Sequence, residues 1–196
     1  MRNRMNPEYI DGLIKDVEYL IPEDSTLTVC VLTLTNGCTV TGKSNVIDPM
    51  NYSADNGLSA AKDNALNQIW ELEGYALRRA RTDLVLRAAA AAHEANRIYC
   101  LWIGDAPQPT WDDAPEWQKA SVIAGVEAVL RNPKIGPEES HNGWLAQKRA
   151  EGWVWGPVKE PELKEHPCMV SYIDLPDEQK MKDVMFTRVV KAVLAD

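Results

Sequence analysis

At 196 residues, with 45% hydrophobic and 26% charged side chains, the chain is long enough to bury a proper core in one or two domains and has the composition of a globular protein. Its formal net charge of -8 excludes general affinity for nucleic-acid polymers, because neutralising phosphates takes a basic face. No stretch approaches the roughly 18 apolar residues of a membrane-spanning helix, and Arg2 and Arg4 at the start lead into no apolar signal segment. The four cysteines, Cys30, Cys38, Cys100 and Cys168, form no CxxC pair and read as reduced thiols acting as small hydrophobes in a cytoplasm.

In chain order, Asn6-Pro7 is a helix start, with Asn able to cap and Pro preset at the first position. Ile10, Leu13, Ile14, Val17 and Ile21 recur at helical spacing and predict an amphipathic helix that Pro22 stops. Leu27 to Thr35 and Cys38 to Lys43 are rich in Thr, Val and Leu and flank Asn36-Gly37, the pattern of a hairpin with a type I′ turn.

Gly37 to Ser44 also matches G-x-x-x-x-G-K-[ST] letter for letter. A phosphate cradle needs a strand before the first Gly and a helix opening at the Lys-Ser pair, so that backbone N–H groups converge. Here Gly37 falls in a hairpin turn and Ser44 leads towards Asp48-Pro49, so the P-loop reading is rejected.

A second helical pattern starts at Ser53, with Leu58, Ala61, Ala65, Ile69 and Leu72 on one face and a break expected at Gly74. Arg78 to Arg81 reads as a basic helix end, with a phosphate site as the sharper alternative. Thr82-Asp83 then looks like a fresh N-cap for an alanine-rich helix reaching about Trp102. Gly104 to Pro115 is proline-rich and acidic. Pro115 starts a helix with Val122, Ile123, Val126, Val129 and Leu130 as its apolar stripe, and Asn132-Pro133 stops it. The last helix is expected from about Leu175-Pro176 to Val193, with Met181, Val184, Met185, Val189 and Ala192 inward.

The stretch from His141 to Tyr172 holds three of the seven tryptophans. Trp144 and Lys148 are four apart, which on a helix places an indole and an ammonium one turn apart on one face. That pair suits a planar base with a charged tail. Trp153 and Trp155 alternate like strand residues before Gly156-Pro157 ends the run, and His166 to Val170 resumes an extended path. The competing reading of these aromatics is core packing.

Catalysis is not expected. His93-Glu94 fails to complete H-E-x-x-H because Arg97 stands where the second His belongs. His166 and Cys168 lack partners for a metal, and Cys168 lies in an apolar run that would keep it inert, with His166 satisfying a backbone group. No cofactor and no metal are expected.

Residues Leu27–Cys30, Asn36-Gly37, Thr39–Gly42 and Leu72–Tyr75, over about 5 to 80, resemble the phage family known as gp49-like, or N4/Sf6. His141–Trp144, Gly152–Pro157, His166–Val170 and Leu175-Pro176, over about 84 to 194, resemble the RyR domain, named after the ryanodine receptor and also found singly in bacterial and phage proteins. The fold expected is α+β, with a helix, β-hairpin and helix unit over 1–81 followed by a mainly helical RyR-like domain with a short β-hairpin over 82–196.

The RyR resemblance implies that an adenine nucleotide is gripped between equivalent tryptophans of two repeats, with a basic residue one helical turn on. Carried onto this chain, those residues are Trp144 and Lys148, with Arg149 beside them; His141, Trp153 and Trp155 complete the candidate binding set. A lone repeat implies a homodimer or higher oligomer supplying the second wall. Lys stands where Arg is expected, so a point charge replaces a bidentate grip.

The two resemblances together imply a phage protein of the host bacterial cytoplasm that binds, without catalysis, an adenine-containing signal such as a cyclic oligonucleotide or an ADP-ribose derivative. Such a sponge would keep the signal from host immunity, with no nucleic-acid polymer and no membrane as partner. The alternative is an assembly module that binds a host protein.

Overall fold

The computed structural model describes residues 5–105 and 108–195. Arg2 and Arg4, and Ala106-Pro107 of the proline-rich stretch, lie outside the described residues. The fold is mixed α+β, and the backbone divides into two units, Met1–Ala80 and Arg81–Asp196.

The first unit opens with α1 (Pro7–Leu13), whose amide of Tyr9 donates to the Asn6 side chain at 3.0 Å. The expected continuation of this helix to Ile21 is not formed. Ile14–Leu20 is instead strand β1, paired antiparallel to β2 (Thr28–Leu34) from Ile14 opposite Leu34 to Leu20 opposite Val29. Ile14, Val17 and Tyr19 favour a strand, and the long-range ladder outweighs a helical spacing of apolar residues. Strand β3 (Thr39–Ser44) completes the sheet in the order β1-β2-β3.

The β2–β3 hairpin forms, but not through a type I′ turn, which needs positive φ at both central residues. Only Gly37 has it here, at φ 87. The Gly37 amide donates to the Leu34 carbonyl at 2.9 Å and the Leu34 amide to the Cys38 carbonyl at 2.8 Å, giving a longer loop with Gly37 at the left-handed position.

Alternate residues of β2, Thr28, Cys30, Leu32 and Leu34, are buried, and they face Ile10, Val40 and one stripe of helix α2 (Ala54–Trp102): Ala61, Ala65 and Ile69, all fully buried. Leu72, assigned to that stripe by spacing, is exposed instead. Gly74 does not break α2, Thr82-Asp83 does not restart it, and Arg78 to Arg81 lies mid-helix rather than at an end. One glycine costs about 1 kcal/mol relative to alanine, which the surrounding Ala, Leu and Arg residues absorb.

Gly42, the second glycine of the G-x-x-x-x-G-K pattern, serves packing. A Cβ there would meet the Ala61 carbonyl oxygen and the Ala65 nitrogen of α2 inside contact distance. Beside it, Asn64 donates to the Lys43 carbonyl at 2.8 Å and Gln68 to the Thr41 carbonyl at 2.6 Å, so α2 satisfies the open edge of β3.

The second unit packs the C-terminal part of α2 against α3 (Glu116–Arg131), α4 (Pro137–Ala150) and α5 (Asp177–Ala195). Its main core joins Val85, Ala88, Ala89 and Ala92 of α2 to Val126 and Val129 of α3 and Val190 of α5. The inward stripe of α5 is turned from the one expected: Phe186, Val189, Val190 and Val193 pack inward, whereas Met181 and Ala192 are exposed.

Glu94 and His93 of α2 hold the loop before α3. Glu94 accepts from the Trp111 amide at 2.7 Å while pairing with Arg97, and His93 Nε2 lies 2.9 Å from the Pro109 carbonyl oxygen. After α4, the expected hairpin is replaced by strands β4 (Val154–Trp155) and β5 (Glu165–His166) paired in parallel. The tight turn lies within the connection, where the Glu160 and Glu165 amides donate to each other's carbonyls at 2.9 and 3.0 Å and Lys164 takes φ 55.

Because any Cβ at position 42 drives into the α2 backbone, Gly42→Ala is expected to destabilise the protein by about 3 kcal/mol. A urea unfolding midpoint that drops for Gly42→Ala but stays put for Gly37→Asn, at a site open to solvent, checks this.

Candidate functional site

Within the second unit a cavity of about 490 Å³ opens between α2, α3, α4, the β4–β5 region and α5. That volume is in the range of small-molecule sites, roughly 300–1,000 Å³. Helix α4 supplies one wall. Its four-residue spacing brings Trp144 and Lys148 to one side, as the sequence predicts, His141 three residues earlier joins them, and all three line the cavity.

Trp144 is half-buried, with its ring 5.6 Å from that of His141 and 5.2 Å, edge-on, from that of His166. Lys148 is only 3% exposed. Its ammonium lies 5.3 Å from the Trp117 ring and 5.4 Å from the Trp153 ring, and binds Glu151 at 2.7 Å. An ammonium lying against two neighbouring indoles gains from each ring, and the carboxylate supplies the counter-charge. The hydrogen bond from Lys148 holds the Glu151 carboxyl below the usual range.

Two candidates fall outside the cavity lining. Arg149 points to solvent, and Trp155 is exposed, while Trp153 is buried at the cavity wall. Trp153 and Trp155 therefore do not present one shared face as strand alternation predicts. The reason is local: β4 begins only at Val154, after Gly152 at φ 85 has turned the chain, and Trp153 is drawn into a cluster with Leu145, Met169 and Trp144.

Residues that the sequence did not single out as binders complete the walls. Trp117 comes from α3, Lys159 from the β4–β5 connection, and Lys182 from α5. Only the spacing along α4 was legible as a local signal; these three approach from elements distant in sequence.

His166 accepts the Cys168 amide at Nδ1, 3.0 Å away, which agrees with the expectation that it satisfies a backbone group. Burial and the nearby Lys159 and Lys182 push its pKa down to about 4, so the ring is neutral at physiological pH. With Nδ1 as acceptor, the proton sits on Nε2. Burial raises the Cys168 thiol to about 11, so it stays protonated. Burial lowers the Lys159 pKa, aided by repulsion from Lys182. For Lys182 burial acts in the same direction but is outweighed by its bond to Asp105, and the pKa is raised.

On α4, Nε2 of His141 lies 2.9 Å from the Val170 carbonyl oxygen and Nδ1 lies 3.6 Å from Asp183. Burial opposes the imidazolium, but the bonds to Asp183 and Val170 outweigh it and raise the pKa above 6.5. A raised folded-state pKa gives stability that is complete below the unfolded value and lost as pH rises through the folded one. Melting temperature is thus expected to fall as pH is raised from 6 upward, and Asp183→Asn to flatten that slope; a series of thermal melts across this range measures both.

Residues 5–81 match the phage protein (N4 Gp49/phage Sf6 gene 66) family, which spans α1, the sheet and the N-terminal part of α2. Residues 134–195 match the RyR domain, a narrower stretch than 84 to 194; it takes in α4, β4, β5 and α5 but not α3, which brings Trp117. The chain is thus similar, one stretch after the other, to the phage protein (N4 Gp49/phage Sf6 gene 66) family and to the RyR domain.

Proposed function

We propose that this phage protein captures an adenine-containing nucleotide signal in the cavity of its second unit and holds it without chemical change. The carrying observation is that Trp144, still partly open, faces a cavity of about 490 Å³ that is also walled by Trp117, Trp153 and lysine side chains. Aromatic faces stack a base and ammonium groups meet its phosphates. One chain supplies several indoles, so the clamp does not depend on a second copy. The protonated Cys168 and neutral His166 support holding over nucleophilic chemistry. In a host bacterium the protein would act as a sponge, lowering the free concentration of a defence signal.

A second reading has its own observation. Val154, Trp155, Val158 and Leu163 are exposed together along β4 and the connection that follows, an apolar surface suited to a host protein. A stoichiometric host protein recovered on wild type and lost on Trp155→Ala would favour it.

Calorimetry against AMP, ADP-ribose and cyclic adenine dinucleotides tests the first reading. At least one is expected to bind, and Trp144→Ala to weaken it by about 1–3 kcal/mol, the contribution of one stacked base. Trp155→Ala and Arg149→Ala, outside the cavity, should leave the affinity unchanged. No heat with any compound, or an unaltered Trp144→Ala, removes the idea.

A further inference from the structure

Three lysines wall the cavity, Lys148, Lys159 and Lys182. Lys148 is answered by Glu151 and Lys182 by Asp105. The Lys159 ammonium, half-buried at the cavity wall, makes no hydrogen bond or ion pair among the described residues. An ammonium taken partly out of water with no carboxylate in direct contact is costly, Asp105 acting on it only through its field, and packing alone would be served better by an apolar side chain. All three lysines, and the Asp105 carboxylate with them, act electrostatically on His166, which places them around one ring.

His166 adds a directed donor to this cluster. Its Nδ1 is committed to the Cys168 amide, which leaves the proton on Nε2, and among the described residues that N–H has no hydrogen-bond partner. The same ring lies 5.2 Å from Trp144 and 6.3 Å from Trp153, and all three line the cavity.

We propose that Lys159, the Nε2–H of His166 and Lys182 form a subsite for a terminal phosphoryl group, so that the ligand is a nucleotide ending in a phosphomonoester or pyrophosphate. This rests on reading the cavity as a nucleotide site and narrows it. A phosphomonoester carries about -1.5 to -2 charges and offers three acceptor oxygens, which suits the Lys159 ammonium and the His166 N–H, with Lys182 sharing its protons between Asp105 and the ligand. The internal phosphodiesters of a cyclic oligonucleotide carry one charge each and fit that cluster less well.

Calorimetry on the full chain with adenosine, AMP and inorganic pyrophosphate tests the subsite. AMP is expected to bind at least about tenfold tighter than adenosine, as charge-assisted hydrogen bonds add to stacking. Lys159→Ala should reduce AMP to the adenosine level while adenosine itself is unchanged. Lys159→Met, which keeps the length of the stem, serves as the second variant should the alanine form fail to fold.

Equal affinity for AMP and adenosine, or AMP binding untouched by loss of the Lys159 ammonium, overturns the subsite and leaves capture through the indoles standing. Pyrophosphate binding that disappears in the Lys159 variants, with no adenine compound bound, upholds the subsite and removes the adenine reading. Binding of none of the three probes overturns both.

Discussion

The second unit depends on one buried cation. Lys148 extends from α4 to lie against both Trp117 of α3 and Trp153 at the entry to β4, whose rings are 6.1 Å apart, and its charge is met by Glu151 at the end of its own helix. A single side chain thereby ties three elements together. Each ammonium–indole contact is worth about 0.5–2 kcal/mol, depending on desolvation, but the larger constraint is geometric. The ammonium accepts only an arrangement in which both rings and the carboxylate are in place, so the two indoles are held as cavity walls before any ligand arrives. Such preorganisation lowers the cost of ordering side chains on binding.

Lys148 is therefore a poor candidate for the main anion contact, despite standing one turn from Trp144. Its charge is already spoken for. Arg131, Lys159 and Lys182 also line the cavity; Lys182 is itself paired with Asp105, and Lys159 is half-buried with no carboxylate in contact among the described residues. Burial leaves His166 neutral and fixes its tautomer through Cys168, so the site joins a neutral donor to ammonium groups without adding another buried charge. The first unit is organised on a different principle: close backbone approach. Gly42 lets α2 lie directly on β3, where Asn64 and Gln68 bond the strand's free carbonyls.

Local signals in the sequence carried a good part of this. The Asn6 cap, the β2–β3 hairpin and the α3 stripe from Val122 to Leu130 are set by neighbouring residues, and they form close to where spacing puts them. The failures share a cause. Ile14 and Val17 carry a helical spacing, but pairing with Leu34 and Leu32 of β2, more than ten residues away, decides their state. Gly74 and Thr82-Asp83 look like a stop and a start because punctuation is read residue by residue, whereas a long helix averages over its good formers. In the site, the α4 face was legible from the interval between Trp144 and Lys148. Trp117 and Lys182 were not, since nothing in their own surroundings tells that they converge on that face.

The cavity also crosses the boundary of the RyR match. A fragment beginning near Lys134 would keep Trp144, Lys148 and His166 yet leave behind Trp117 and the whole of α3, including Val126 and Val129 at the centre of the core. In such a piece the ammonium would lose one of its two rings and much of α5 would face water. The portable unit of this architecture is accordingly larger than the stretch by which it is recognised, and excision experiments should cut within α2, upstream of Val85, rather than at the edge of the match.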